Sequence, residues 1–346
     1  MAYTTVNKSS DYFNTKLYTG TGNSQILTGV GFQPDFIWTA TRNESEIRPI
    51  NDSVNGINNY LRSNAVDTLE TSGSNITAQS SNGYTVGTEN RFNQSSNTFV
   101  SWNWKANGQG SSNTAGSINT TYTSANTTSG FSIVKWNGNG STATIGHGLG
   151  KVPKMIIVKS LANTTTWMVQ HTSPSMGNAK EIYLNNTTAA GSSTAWNSTT
   201  PTSTVFSVTG GGGDGVNASG AYIAYCFAEV KGFSKIGQFA GNGNTNGGFI
   251  YCGFKPAFFM IKEIQSASDW HISFNNIAAQ QNPIKGLLYP NSTGTDSNTE
   301  SVDFLSNGVK IRTSGGGQNE SNKDYIYMAY AAAPLVGSNN VPATAR

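Results

Sequence analysis

The chain carries little charge. Lys, Arg, Asp and Glu make up 11% of its 346 residues, against roughly 25% in ordinary soluble proteins. Its polarity comes instead from Asn, Ser, Thr and 39 glycines. Such a chain is solvated by hydroxyls and amides, which suits strands and turns and makes poor helix. Basic clusters are missing as well: the net charge is +3 with no Lys/Arg run, so neither nucleic acid nor a charged membrane surface is expected as a partner. No apolar stretch approaches the roughly 18 residues of a membrane span. The first residues, MAYTTVNKSSDYF, hold no hydrophobic segment and do not read as a signal peptide. Two cysteines occur, Cys226 and Cys252, each within an apolar strand-like run. Buried thiols are expected there, with a disulfide as the alternative. An apolar content of 36% is enough for real cores and argues against disorder. Asn-x-Ser/Thr triplets, at Asn75, Asn163 and Asn291 for example, arise by chance in a chain of this composition.

What the chain has in quantity is repetition. YTGTGNSQILTGVGFQP (18–34), WNGNGSTATIGHGLGKVP (136–153) and FAGNGNTNGGFIYCGFKP (239–256) are variants of one phrase. Each has an aromatic strand, a Gly-x-Gly turn, a second strand and a closing Gly-apolar-Pro stop. The glycine pairs predict a tight hairpin. A dense apolar strand follows at Phe36, Met155 and Phe258, and the latter two runs end in Lys159 and Lys262. Trp167 and Trp270 come next, then the short strands NNYLRSN, EIYLNN and GLLYPN. NGYTV, TVFSV and NGVKI follow, and each series ends in an aromatic strand: TFVSWNW, AYIAYCFA and DYIYMAYA. The turns start at Gly20, Gly138 and Gly241, offsets of 118 and 103 residues, which is domain-sized and far from the 20–50 residues of solenoids.

The expected fold is therefore all-β, with three tandem homologous β-sandwich or jelly-roll-like domains of about seven strands each. The divisions are an N-terminal arm (1–11), domain one (12–106), a Gly/Ser/Asn/Thr-rich linker (107–129), domain two (130–231), domain three (232–336) and a tail (337–346). Domains two and three join directly through AEVKGFSK and are expected to pack rigidly. SVNGINNYLRS, from residue 53, predicts a turn of helix. The final strand of each domain is apolar at nearly every position, which predicts that it is central or covered on both faces.

No constellation of catalytic residues stands out, and no cofactor or metal site. His147, in GHGLGK, lacks the Lys-Ser/Thr ending of a phosphate loop. His171 and His271 have no Cys or second His at ligand spacing. The loop TGGGGDGVNASG resembles a calcium-binding glycine repeat but occurs once, where tandem turns are needed to complete the oxygen cage. Tryptophans beside amides can stack on sugars. Trp102, Trp104, Trp136, Trp167, Trp196 and Trp270 are candidates; Trp136, Trp167 and Trp270 recur at repeat positions and read as core, and Trp196, in the loop STAWNSTTP, is the best exposed candidate.

The phrases GFSIVKWNGNGSTATIGHGLGKVPKMIIVK, AYIAYCFAEVKGFSKIGQFAGNGNTNGGFIYCGFKPAFFMIK and FVSWNWKANG resemble a repeated β-rich domain of virion proteins from marine bacteriophages that infect cyanobacteria and abundant ocean bacteria. The resemblance covers most of 98–263 closely. It implies a non-enzymatic structural protein of tail-fibre or appendage type, on a virion assembled in the bacterial cytoplasm, and it carries over no catalytic residue. Expected partners are other virion proteins of the tail or capsid, a host surface glycan or protein, and further copies of the chain, with a trimer as one form. A capsid decoration protein and a carbohydrate-binding module are the alternatives. Surface-binding positions, chosen for exposure and for variation between domains, are Arg91, Phe92, Asn93, Trp196, Asp214, Asn217 and Asn319.

Overall fold

The structure is a computed structural model, in which residues 4–210, 215–274, 282–297, 299–315, 317–334 and 336 are described. Each Gly-x-Gly phrase makes two different demands on glycine. A Cβ on Gly20, Gly138 or Gly241 would lie 2.1, 2.0 or 2.2 Å from a backbone carbonyl oxygen. Gly22, Gly140 and Gly243 have φ of 73°, 75° and 64°, a left-handed conformation that side chains resist. The turns are not hairpins, however. The strands on either side pair with different partners, and the turn carries the chain from one sheet to another.

The first unit contains β1 (Phe13–Thr19), β2 (Gln25–Thr28), β3 (Phe36–Thr41), β4 (Pro49–Asp52) and β5 (Asn59–Arg62). It continues with β6 (Glu70–Thr71), β7 (Ile76–Ser80), β8 (Gly83–Val86) and β9 (Thr98–Trp104). The second contains β10 (Tyr122–Asn126), β11 (Phe131–Gly138), β12 (Ala143–Gly146), β13 (Met155–Ser160) and β14 (Met168–His171). Its remaining strands are β15 (Lys180–Tyr183), β16 (Gly191–Ser192), β17 (Val205–Val208) and β18 (Gly220–Phe227). The third has β19 (Ser234–Ala240), β20 (Phe249–Tyr251), β21 (Phe254–Glu263) and β22 (Trp270–Phe274). It closes with β23 (Leu287–Leu288), β24 (Val302–Leu305), β25 (Gly308–Ile311) and β26 (Asp324–Pro334).

The all-β sandwich fold expected from these short strands is the fold that forms. One large-sheet order occurs three times: β1-β9-β3-β4-β5, β11-β18-β13-β14-β15 and β19-β26-β21-β22-β23. A small sheet accompanies each, β2-β8-β7, β12-β17 or β20-β25-β24. The apolar final strands β9, β18 and β26 are central in their sheets. Alternate residues of β18 show why they need apolar side chains throughout. Tyr222, Ala224 and Cys226 pack with Phe206 and Val208 of the unit's own small sheet. Ile223, Tyr225 and Phe227 face a core shared by all three units.

That shared core is aromatic. Trp104, Phe227 and Tyr330 occupy matching register positions, opposite Phe36, Met155 and Phe258. Trp104 lies 6.3 Å from Phe227 and 5.4 Å from Tyr330, ring centre to ring centre. Phe36 meets Tyr225 edge-on at 4.7 Å. Tilted and T-shaped pairs of this kind contribute beyond their buried area.

A closed set of polar contacts surrounds the core. Arg48, Trp167 and Trp270 each stand twelve residues after the matched positions Phe36, Met155 and Phe258. Their backbone N–H groups donate to Asn64, Asn185 and Asn291 at 3.0, 2.8 and 2.9 Å. Their side chains reach across to the next unit. Trp167 Nε1 donates to the Arg62 carbonyl at 2.9 Å, Trp270 Nε1 to the Tyr183 carbonyl at 2.8 Å, and Arg48 Nε to the Tyr289 carbonyl at 3.2 Å. Backbone bonds run beside them: Leu69 N to Leu161 O (3.3 Å), Ala190 N to Ile264 O (2.9 Å) and Asp296 N to Arg42 O (2.6 Å). The second unit holds the first, the third holds the second, and the first holds the third. Head-to-tail contacts that close after three steps form a threefold ring, here within one chain.

Two further expectations are corrected. Residues 107–129 are not a spacer: β10 lies within them and pairs with β11, and Ile118 bridges to β12. Local side-chain bonds, such as Asn113 N to Thr120 Oγ1 at 2.8 Å, order this low-complexity stretch. Within the N-terminal arm, Val6 is buried in the shared core. The stretch from residue 53 forms turns and β5 rather than helix, because Asp52 accepts the N–H groups of Val54 and Asn55 in a local turn. Residues 337–346 lie outside the described residues.

Candidate binding surface

The residues expected to bind through exposed loops are mostly internal. Asn93, Asn217 and Asn319 are buried at matching places and latch the three Gly-x-Gly turns. Their carbonyls accept the N–H groups of Gly22, Gly140 and Gly243 at 2.7, 2.8 and 2.8 Å. Asn93 Oδ1 accepts from Thr21 N (2.9 Å), and Asn93 Nδ2 donates to the Asn23 and Gly87 carbonyls. Asn217 Oδ1 accepts from Trp136 Nε1 at 3.0 Å, while Asn217 Nδ2 donates to Asn139 Oδ1 (2.9 Å) and the Ser141 carbonyl (2.7 Å). Asn319 repeats the arrangement with Asn242 N, the Asn244 carbonyl and the Thr313 carbonyl. A primary amide offers two donors and two acceptor lone pairs, and these turns use nearly all of them.

Phe92 fills the outer core of the first unit, edge-on to Tyr60 at 5.6 Å. Trp196 is buried in the outer core of the second unit, because its loop folds back until Thr209 N reaches the Ala195 carbonyl at 2.9 Å. Together with Trp38, Trp102, Trp104, Trp136, Trp167 and Trp270 it leaves no tryptophan on the surface. Of the described candidates Arg91 alone is half-exposed, and it donates to the Tyr60 hydroxyl at 2.6 Å, 3.7–3.8 Å from Glu89 and Glu70. Asp214 lies outside the described residues.

The titratable groups serve the interior. Burial pushes His171 and His271 down to about 4 and lowers His147, so the imidazoles stay neutral at physiological pH. His147 Nδ1 accepts from Leu149 N and His171 Nδ1 from Ser173 N. Lys159 and Lys262, pushed by burial to about 8, donate to the Val66 and Thr187 carbonyls of the neighbouring unit at 3.1 and 3.2 Å. The first unit has Ala40 in their place and uses an Arg42–Asp296 ion pair at 2.9 Å. Asp52, its carboxyl raised by burial, accepts from the Tyr225 hydroxyl at 2.9 Å. Both cysteines are free and buried, and burial raises each thiol to about 12. Among the described residues no three His, Cys, Asp or Glu side chains are grouped to hold a metal.

The outward-facing chemistry is on the small sheets. Ile26 of β2 is 71% exposed, and Phe249 and Tyr251 of β20 are 46% and 56% exposed. Both strands lie at sheet edges. Beside Tyr251, a cleft of ≈ 570 Å³ runs past Cys252 and Gly253 to Glu229, Lys231 and Lys235.

Residues 8–334 match a family described as a domain of unknown function, DUF7483. The chain belongs to that family. No curated protein matches it. The match spans all three units of this DUF7483 chain, including the 107–129 stretch.

Two features of the DUF7483 ring leave a signal in the sequence that only the structure makes plain. Arg48 shares the twelve-residue spacing of Trp167 and Trp270, but a change from indole to guanidinium hid the match. The latch asparagines stand six, five and six residues before Phe99, Tyr222 and Tyr325. Those aromatics stack on Tyr18, Trp136 and Phe239 at 5.0, 5.4 and 4.9 Å.

Proposed function

We propose that this chain is a non-enzymatic structural protein of a bacteriophage particle, a tail-fibre or appendage component that presents its surface for host attachment. The observation that carries this reading is the closed ring: three sandwiches held head to tail on one aromatic core make a stiff frame with the small sheets available outward. Such a frame suits a part that must keep its shape while many weak contacts act together. The resemblance of residues 98–263 to phage virion proteins supplies the particle. Its partners are other virion proteins at the tail and a glycan or protein on the host surface. The ring also favours a second reading, a capsid decoration protein, because a chain with its own threefold can sit over a symmetric site on a shell. Further copies of the chain would add to this frame rather than build it. Purified chain, added in excess to host cells before the phage, is expected to slow adsorption. Capture of the chain by isolated heads with no effect on adsorption supports decoration instead. If it does neither, both readings fail.

A further inference from the structure

The second unit contains its own example of an occupied sheet edge. Residues 116–118 lie along β12: Ile118 N donates to the Thr144 carbonyl at 3.2 Å. Ser117 N donates to Thr144 Oγ1, and Thr144 N to Ser117 Oγ, both at 2.9 Å. Ile118 bridges to Ile145 in parallel and packs against the unit's outer core. A Cβ on Gly116 would lie 2.3 Å from the Thr144 carbonyl oxygen, so so close an approach requires glycine.

Among the described residues the third unit presents the same edge without a paired strand, as the first does at β2, and at β20 the edge carries two exposed aromatics. Ile145 pairs with Phe206 in β12–β17, and Ile250 pairs with Val309 in β20–β25, with all four buried. Thr144 therefore corresponds to Phe249, and Gly146 to Tyr251. Among the described residues no strand or bridge lies beyond β20. Unoccupied edges are normally blunted by shortness, lysine, proline or a bulge; β20 is short, at three residues, but reads Phe-Ile-Tyr with no lysine or proline.

We propose that β20 is a docking edge for an extended segment of a partner protein, added in parallel as residues 116–118 are added to β12. One of its backbone N–H groups would meet the Phe249 carbonyl, and apolar side chains would pack on Phe249 and Tyr251. Strand addition draws affinity from main-chain bonds and specificity from alternate side chains. The parallel direction at β12 argues against two copies of β20 pairing about a twofold, which would be antiparallel. The exchange of Thr144 for Phe249 calls for an apolar residue where the linker has Ser117.

The probe is a capped, dye-labelled synthetic peptide of residues 114–121 carrying Ser117→Val, titrated against the whole chain by fluorescence anisotropy. Two changes should each weaken binding by about tenfold or more: methylation of the peptide's Ile118 nitrogen, and Phe249→Lys with Tyr251→Lys in the protein. Both side chains are exposed, so that variant should melt as the parent does. No binding at millimolar peptide, or binding that survives both changes, overturns the proposal. So does a parent dimer in sedimentation that the double variant dissolves, since the occupant would then be a second copy.

Discussion

Replacing Asn217 with alanine separates a latch from a binding residue. The substitution removes three side-chain hydrogen bonds of 2.7–3.0 Å, to Trp136, Asn139 and Ser141, from a fully buried site. A net contribution of about 1 kcal/mol per bond gives a loss of about 3 kcal/mol. Trp136 Nε1 is left buried without its acceptor, which pushes the cost upward. With an unfolding entropy of about 2.1 cal/mol/K per residue, the 346 residues give about 0.7 kcal/mol/K when the chain melts as one body. The melting temperature should then fall by about 4 °C in a calorimetric scan. Asn93→Ala and Asn319→Ala should behave alike, because the same turn is latched in each unit. A shift below about 1 °C, with host or ligand binding lost, would refute the latch and restore Asn217 as a surface-binding residue.

Trp104→Ala, at the shared core, should cost about 3–5 kcal/mol and shift a single calorimetric transition. Separate transitions for the three units would show that the core does not couple them. The histidines predict a loss of stability in acid. With His171 and His271 at about 4 in the fold and about 6.5 unfolded, the unfolded chain takes up protons first. Stability should fall as the pH drops from about 6.5 towards 4, and the His171→Gln/His271→Gln double variant should show a shallower decline in urea titrations. Lys262, at about 8 in the fold and about 10.4 unfolded, works over a higher window. There the unfolded state holds more protons, so the parent should gain stability relative to Lys262→Met as pH rises from about 8 to 10. A pH-independent difference between the two would contradict the buried placement of that amine.

The strands were readable because their signal is local. Alternation, glycine turns and the doubly apolar final strands mark β5, β15 and β23, or β9, β18 and β26, without reference to anything distant. The Gly-x-Gly turns do not reveal their strand partners, because a tight turn fixes a change of direction, not which strand pairs with which. The burial of most of the expected binding residues has a related cause. Polar loops rich in Asn and Gly read as surface, yet Asn93, Asn217 and Asn319 are internal because each lies beneath a largely exposed turn and spends its hydrogen bonds on that turn's inner side. Trp196 was misplaced for the same reason, since only tertiary folding brings its loop back over Phe206 and Val208. The edge at β20 could not be judged from composition. Its exposure depends on where residues 116–118 go, and they cover the neighbouring unit instead.

The most direct test of the assignment to a phage particle is immunogold electron microscopy with an antibody to the purified chain, on particles of a phage that encodes it. Gold at the tail or its appendages is the result the attachment reading predicts. Particles that carry no gold, from preparations in which the antibody detects the free chain, would contradict it.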